Sequence, residues 1–233
     1  MPALPFEVLP DADAAARRAA DHIAAQAREA IAGRGRFAVA FSGGRTPEAM
    51  FRFLAREEID WAKVHIAQVD ERIAPAGSSD RNLSQLRAAL LDHVSIPKAQ
   101  VHAMPVKRAD LDVAVQAYGR RLAEIAGAPP VLDLVHLGLG GDGHTASLVP
   151  GDAALDVTDA DVATTGPYAG RRRMTLTLPI INRARGIVWL VTGAEKSAVV
   201  ARLLRGDETM PAGRVNRASA LLLVDQEAAP KTE

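Results

Sequence analysis

Short apolar runs alternate along this chain with longer segments of helical character. Strand-like runs fall at 36–41, 64–69, 131–137, 174–178, 187–191 and 220–224. Helical segments fall between or before them, at 11–32, 46–56, 82–91, 110–126 and 194–204. Strands that alternate with helices predict an α/β fold with a doubly wound, mostly parallel sheet flanked by helices. No repeat or clear linker divides the chain, so we expect a single domain over 1–233.

The local signals at the first two helices fix their expected ends. Asp11 or Asp13 can cap the first helix and Gly33 can end it. Thr46 is the expected N-cap of the second helix, with Pro47 in its first turn.

The composition narrows the functional classes. Lys+Arg and Asp+Glu number 28 each, so the formal net charge is zero and nucleic acid is not an expected main partner. The 233 residues include no cysteine, which excludes disulfides, thiol nucleophiles and cysteine–zinc sites. No apolar stretch approaches membrane-spanning length, and residues 1–5 lack a signal-peptide pattern. We therefore expect a cytoplasmic protein that does not enter a membrane.

The segment 138–147, Gly-Leu-Gly-Gly-Asp-Gly-His-Thr-Ala-Ser, follows directly on the predicted strand 131–137. Its glycines leave room for a ligand to approach the backbone at the end of that strand. Asp142 is the expected N-cap of a short helix, which places His144 in the first helical turn. The helix dipole favours the neutral imidazole there, so His144 is a candidate general base.

The same segment fits a dinucleotide-binding pattern. Gly138, Gly140 and Gly143 satisfy G-x-G-x-x-G, and Asp159 and Asp161 lie about 20 residues further on, where an acid would contact the ribose. The following helix is cut short by the Pro-Gly pair at 150–151, and the motif lies in the middle of the chain. These two features disfavour a dinucleotide.

A second glycine turn, Ser-Gly-Gly-Arg-Thr-Pro at 42–47, joins a strand to a helix. Its amides and the helix N-terminus favour an anion, although an ordinary capped turn would have the same sequence. The Walker A pattern is absent.

Charged side chains stand at three further positions that suit a ligand. Asp70, Glu71 and Arg72 end a predicted parallel strand, where ligands bind in open α/β sheets. Lys196 falls in the first turn of a predicted helix, where a bound anion would offset its unfavourable interaction with the dipole. Of the three arginines at 171–173, Arg173 is the best candidate to bind a phosphate through bidentate hydrogen bonds. Each position also has an interpretation without a ligand. The block at 70–72 would be a solvated strand end, Lys196 would simply reach solvent, and the arginines at 171–173 would form a solvated basic face.

Two other kinds of site have no support. The sequence has no H-E-x-x-H pattern or close histidine pair, so no metal site is expected. It also lacks a G-x-S-x-G nucleophile elbow.

Taken in order, these blocks resemble the 6-phosphogluconolactonase family over nearly the whole chain. The most specific match is 138–151, which is similar to the family's G-G-D-G-H-T-A-S-L-x-P-G block. The glycine turn, the Asp-Glu-Arg block with Asn82 after it, and the later Arg173 and Lys196 blocks also match. Pro211, Ala212 and Asp225 resemble its C-terminal pattern. Arg45 and Arg81 stand where serine is usual.

The resemblance implies a fold like that of glucosamine-6-phosphate deaminases, a modified Rossmann-like arrangement. It implies hydrolysis of 6-phospho-D-glucono-1,5-lactone in the oxidative pentose phosphate pathway, with no cofactor or metal. The sequence has no obvious interface helix or long apolar patch, so we expect a monomer or weak dimer. His144 would activate water, and either Asp142 or Asp70 would orient His144 or the sugar hydroxyls. Arg72 or the amides of the glycine loop would stabilise the oxyanion. The residues implied to hold the substrate are Ser42, Gly43, Gly44, Arg45, Thr46, Asn82, Gly141, Arg173 and Lys196.

Two rival functions share this scaffold. Deaminases carry Asn-Glu-Pro after the D-G-H block and favour Tyr after Asp-Glu, whereas this chain has Ser-Leu-Val-Pro at 147–150 and Arg72. Non-catalytic sugar-phosphate sensors usually carry a DNA-binding helix-turn-helix, and this chain begins with the α/β unit itself. Both comparisons favour the lactonase.

Overall fold

A seven-stranded parallel sheet forms the centre of the structure, a computed structural model that describes residues 3–231. The strands in chain order are β1 (Phe6–Leu9), β2 (Phe37–Phe41), β3 (Val64–Gln68), β4 (Asp70–Arg72), β5 (Val101–His102), β6 (Leu134–Leu137), β7 (Val162–Thr164), β8 (Arg173–Leu176), β9 (Ile187–Val191) and β10 (Ala220–Asp225). The central sheet has the order β1-β10-β9-β6-β2-β3-β5, with every pair parallel. The predicted mostly parallel sheet is confirmed.

Helices cover both faces of this sheet. They are α1 (Ala12–Arg34), α2 (Thr46–Leu54), α3 (Asn82–Ala89), α4 (Leu111–Ala126), α5 (Leu178–Arg183) and α6 (Ser197–Arg205). The first three pack on one face and the last three on the other, so the sheet separates two apolar cores. No helix within residues 3–231 is long and apolar enough to cross a membrane.

The strand order reverses between β2 and β6. From β2 the chain proceeds outward through β3 to β5, and then returns to β6 on the other side of β2. The loops that leave β2 and β6 therefore diverge at their carboxyl ends and open a crevice, which is where open α/β sheets bind ligands. These two loops are the glycine turn at 42–47 and the segment 138–147.

Alanine lets α1 lie close to the sheet. Eight of its residues are buried, and seven of these are alanine. Asp11 caps the helix by accepting a hydrogen bond from the Ala14 amide at 2.8 Å, as the sequence predicts. The predicted end at Gly33 is wrong, because the helix continues to Gly35. Gly35 takes the left-handed conformation (φ 74°) that a helix end requires.

Other sequence predictions need correction at this level. Thr46 is the first residue of α2, and Arg45 occupies the N-cap position without a side-chain cap. Lys196 ends a 3-10 turn, Ala194–Lys196, that precedes α6, so it does not lie in the first turn of an α-helix. The sequence analysis also missed β1, β5, α5 and a small antiparallel sheet of order β4-β8-β7. Most of these are only two to four residues long, too short for a periodic signal.

The predicted helix after Asp142 is also wrong. Residues 141–147 contain turns and no helix, and Thr145 and Leu148 make an isolated antiparallel bridge. Gly143 (φ 85°) and Ala146 (φ 53°) both have left-handed backbone, which a right-handed helix cannot contain. The prediction that a helix dipole acts on His144 is therefore wrong as well.

Two histidines stack at the β5 edge of the sheet. His102 Nε2 lies 3.1 Å from His65 Nδ1, and the rings are inclined by 15°. Arg121 Nε donates to His102 Nδ1 at 3.0 Å. Because His102 Nδ1 accepts, its proton lies on Nε2 and is donated to His65, which requires both rings to be neutral. Burial first, and then Arg121 and His65, lower the pKa of His102 from 6.5 to about 4.

This pair predicts acid-sensitive stability. Unfolded His102 regains its ordinary pKa, so the unfolded chain binds more protons below pH 6.5, and the free energy of unfolding falls until about pH 4. We expect a loss of about 2 kcal/mol between pH 7 and pH 5 from this residue. Urea unfolding at the two pH values measures it. The His102→Gln variant is the control and should have a shallower pH slope; an equal slope would contradict the assignment.

Candidate active site

A cavity of about 240 Å³ opens in the crevice between β2 and β6. It is lined by eleven of the thirteen residues predicted to act in catalysis or binding: Ser42, Gly43, Gly44, Arg45, Thr46, Asp70, Arg72, Asn82, His144, Arg173 and Lys196. The other two, Asp142 and Gly141, lie in the same loop as His144 but do not line the cavity. Segments far apart in the sequence thus meet at one site.

His144 and Asp142 form a close polar pair at the site. His144 Nδ1 lies 2.6 Å from Asp142 Oδ1, which also accepts the His144 amide at 3.1 Å. The ionised carboxylate accepts the Nδ1 proton, and in the neutral tautomer that this hydrogen bond selects, the lone pair lies on Nε2. The sequence left open whether Asp142 or Asp70 orients His144; in the structure the contact is with Asp142.

The environment of Asp142 favours its ionised form. Partial burial opposes ionisation, but hydrogen bonds from the His144 amide and ring and from the Tyr168 hydroxyl outweigh it and lower the pKa of Asp142. An ionised partner stabilises the imidazolium that a general base becomes. The pair is therefore suited to accept a proton at Nε2.

Two glycines hold this loop in shape. The Gly140 amide donates to the His144 carbonyl at 2.9 Å, and the Gly143 amide donates to the Gly140 carbonyl at 2.9 Å. A Cβ atom at Gly140 would overlap the His144 ring and lie 2.7 Å from Asp142 Oδ1. Gly143 in turn packs on Met210, and its carbonyl accepts the Ala212 amide at 3.0 Å. Part of the C-terminal block at 211–212 thus supports the loop.

Asp70 is buried at the base of the cavity, with 5% of its surface exposed. The Ser147 hydroxyl donates to it at 2.6 Å, and Asn82 Nδ2 donates to it at 3.1 Å. Burial raises the pKa of Asp70, and the Ser147 hydrogen bond and the nearby Arg173 oppose that change. Asn82 therefore contacts Asp70 directly and holds it in place.

Glu71 has a structural role. It is fully buried and accepts the amides of Asn82 and Leu83 at 2.8 and 3.0 Å, which satisfies donors at the start of α3. Its other partners include Arg81, whose Nε lies 3.3 Å from Oε2. Arg81, which replaces the family's usual serine, is thus buried against a carboxylate.

The glycine turn forms the other end of the cavity. A Cβ atom at Gly43 would lie 2.7 Å from Asn82 Cβ, so only glycine fits beside Asn82. The Gly44 amide donates to Gln85 Oε1 at 2.9 Å. Lys196 reaches the cavity from the turn after Gly193, whose amide donates to both oxygens of Asp225 at 3.1 Å. Asp225, at the end of β10, therefore anchors the turn that carries Lys196.

Arg173 and Tyr168 connect the two ends. The Arg173 guanidinium lies 5.1 Å from the centre of the Tyr168 ring and 3.4 Å from Ser147 Oγ. The Tyr168 hydroxyl lies 3.2 Å from Asp142 Oδ2 and 3.4 Å from His144 Nδ1. Arg72, beside Arg173 across the β4–β8 pair, donates to the Asp80 carbonyl at 2.7 Å. Arg72 and Arg173 thus bring two positive charges to the cavity that His144 also lines.

The sequence analysis missed Ser147 and Tyr168. Ser147 belongs to the glycine-rich block, but nothing local shows that it faces Asp70. Tyr168 lies 24 residues from His144 in a stretch rich in Asp, Thr and Gly, where a single aromatic residue is the only available signal.

Comparison with known proteins agrees with this geometry. The family model for glucosamine-6-phosphate isomerases/6-phosphogluconolactonase matches residues 10–224. A 6-phosphogluconolactonase of Synechocystis sp. is 41% identical over 208 residues, covering 86% of each chain. The solved structure of 6-phosphogluconolactonase from Trypanosoma brucei superimposes with a TM-score of 0.85 at 28% identity, covering 97% of each chain.

A more distant structure shows how widely the fold is used. A monomeric glucosamine-6-phosphate deaminase superimposes with a TM-score of 0.84 at 18% identity, covering 97% of this chain and 98% of its own. At that identity the likeness shows the fold alone. The family match over 10–224 and the 41% identical relative decide membership: this chain belongs to the glucosamine-6-phosphate isomerase/6-phosphogluconolactonase family.

Proposed function

We propose that this protein hydrolyses 6-phospho-D-glucono-1,5-lactone to 6-phospho-D-gluconate, a step of the oxidative pentose phosphate pathway. The observation that carries the proposal is the His144–Asp142 pair at 2.6 Å in a cavity whose other end holds a glycine turn and Lys196. One end can activate water, and the other can hold an anion. The names of relatives such as the Synechocystis protein support the same reaction.

The reaction needs a base and a stabiliser of negative charge. Water attacks the lactone carbonyl carbon C1, and His144 Nε2 takes its proton while Asp142 stabilises the imidazolium. The Arg72 guanidinium and the amides of residues 138–139, which line the cavity, stabilise the tetrahedral oxyanion. The Gly140 amide is already bonded to the His144 carbonyl, and Gly141 lies outside the cavity lining. When the intermediate collapses, the bond from C1 to the ring oxygen breaks and the imidazolium returns the proton to that oxygen. A lactone is an activated ester, so no covalent nucleophile is required.

Tyr168 positions the base in this mechanism. Its hydroxyl donates to Asp142 Oδ2, the carboxylate oxygen that His144 does not use. Both carboxylate oxygens are then fixed, and the His144 ring is held at one angle. Asp70, held by Ser147 and Asn82, is placed to accept hydrogen bonds from sugar hydroxyls.

The phosphate binds at the far end of the cavity. Its ligands are the glycine turn, from Ser42 to Thr46, together with Lys196 and Arg173. The Gly44 amide already donates to Gln85, so Gly44 contributes the shape of the turn (φ 116°) more than a donor. Binding of the phosphate, which does not itself react, orients the carbonyl carbon C1 toward His144.

Replacing Lys196 by alanine tests this phosphate site. A hydrogen bond to a charged group contributes about 1.5–3 kcal/mol, so we expect KM for the phosphorylated lactone to rise roughly 10- to 100-fold. KM for unphosphorylated glucono-1,5-lactone should stay the same, since it has no phosphate to lose. Lys98→Ala, an exposed lysine on another face, is the control. An equal rise of KM for both lactones would contradict the assignment of Lys196 to the phosphate.

The rival deaminase activity is tested with glucosamine 6-phosphate. The stretch 147–150 supplies no carboxylate, whereas the deaminases carry one there that assists acid–base work. We expect acid release from the lactone and no ammonia release from glucosamine 6-phosphate. Ammonia release at a comparable rate would reject the lactonase assignment.

A further inference from the structure

His136 is a buried polar side chain without a protein partner. It lies in β6 with 1% of its surface exposed, and neither ring nitrogen has a hydrogen-bond partner within residues 3–231. The rings of Phe41 and Phe51 lie beside it, with centroids 6.2 and 6.4 Å away. An apolar residue would suit these neighbours better, since a buried polar group without a partner is destabilising.

His136 is nevertheless one of the residues that line the cavity. Side chains alternate along a strand, so the next residue of β6 on the same side is Gly138. His136 pairs in register with Phe41 of β2, and two residues beyond Phe41 is Gly43. A Cβ atom at Gly138 would meet nothing within 4 Å. The missing side chain at Gly138 leaves space next to the His136 position, whereas Asn82 occupies the space beside Gly43.

The position of His136 assigns it to one end of the cavity. Ser42, the first residue of the glycine turn, donates both its amide and its hydroxyl to the His136 carbonyl, at 3.3 and 3.0 Å. The backbone of His136 is therefore bonded directly to the turn that binds the anion in the proposed function. Lys196 lines the same cavity and supplies positive charge there.

We propose that His136 is the floor of the anion subsite and donates a ring N–H to an oxygen of the bound phosphate. This inference rests on the proposed function for the location of the phosphate. Burial lowers the pKa of His136 to about 3, so the ring is neutral at physiological pH and needs no counter-ion in the empty cavity. A neutral imidazole keeps one N–H, which a phosphate oxygen can accept.

The test compares His136→Leu with His136→Gln by titration calorimetry with inorganic phosphate. Leucine fills the space without a donor, whereas glutamine keeps an N–H donor. Losing a hydrogen bond to a charged acceptor is expected to weaken phosphate binding about tenfold or more in the leucine variant. The glutamine variant should retain most of the wild-type affinity. If the leucine variant fails to fold, His136→Met replaces it as the apolar variant.

Thermal unfolding in phosphate-free buffer separates this role from a structural one. The leucine variant should match or exceed the wild-type Tm, because it removes a buried polar group that has no protein partner. Equal Kd values for phosphate in the leucine and glutamine variants would overturn the proposal, as would a wild type that does not bind phosphate at millimolar concentrations. The titration needs no turnover, so a wild type that binds phosphate without hydrolysing the lactone would count against the proposed function alone.

Discussion

Replacing His144 by alanine is expected to reduce kcat for the phosphorylated lactone about 100-fold or more. His144 is the general base in the proposed mechanism, and Asp142 Oδ1 at 2.6 Å holds its proton on Nδ1 so that Nε2 accepts the proton of water. KM should change little, because the phosphate end of the cavity is intact. The measurement is the initial rate of acid release, after the spontaneous opening of the lactone is subtracted.

His93→Ala is the matched control for that experiment. His93 is an exposed histidine whose Nε2 lies 2.9 Å from the Ala88 carbonyl, on the α3 side of the molecule. It should behave as the wild type. A His144→Ala protein that hydrolyses the lactone at the wild-type rate would exclude His144 as the base.

Gly140→Ala is expected to reduce activity about as strongly, although no reacting group is removed. Its Cβ would occupy the position of the His144 ring and lie 2.7 Å from Asp142 Oδ1. The ring must therefore move, and a displacement of about 1 Å at a catalytic group can lower the rate by about 100-fold. The overlapping atoms belong to side chains that can swing away, so the fold should survive and Tm should fall by only a few degrees.

The control for Gly140→Ala is Gly119→Ala in α4. A Cβ there meets nothing within 4 Å, and alanine favours a helix. Wild-type kcat in a folded Gly140→Ala protein would show that the His144–Asp142 geometry does not limit the reaction.

Much of the site was predictable because each of its loops follows a strand. The segment 138–147, the turn at 42–47 and the block at 70–72 carry their signal in a few adjacent residues. Parallel strands bring their carboxyl ends to one edge, so the alternation of strands and helices was enough to predict that they meet.

The predictions that failed, and the contacts that were missed, depend on the direction in which side chains point. Asp142 was predicted to cap a helix, but its carboxylate instead accepts the amide and ring of His144 two residues on. The preference of aspartate for nearby amides is the same in both cases, and the backbone of Gly143 and Ala146 decides between them. The contact of Tyr168 with Asp142 spans 26 residues, and no local pattern reports a contact at that separation.

The most direct test of the central claim is the rate of acid release from 6-phosphogluconolactone by the wild-type protein, compared with glucono-1,5-lactone that lacks the phosphate. The account predicts rapid hydrolysis of the phosphorylated lactone, with kcat/KM for the unphosphorylated one lower by about 10-fold or more, since the grip on the phosphate is lost. A rate for the phosphorylated lactone no faster than its spontaneous opening would contradict it.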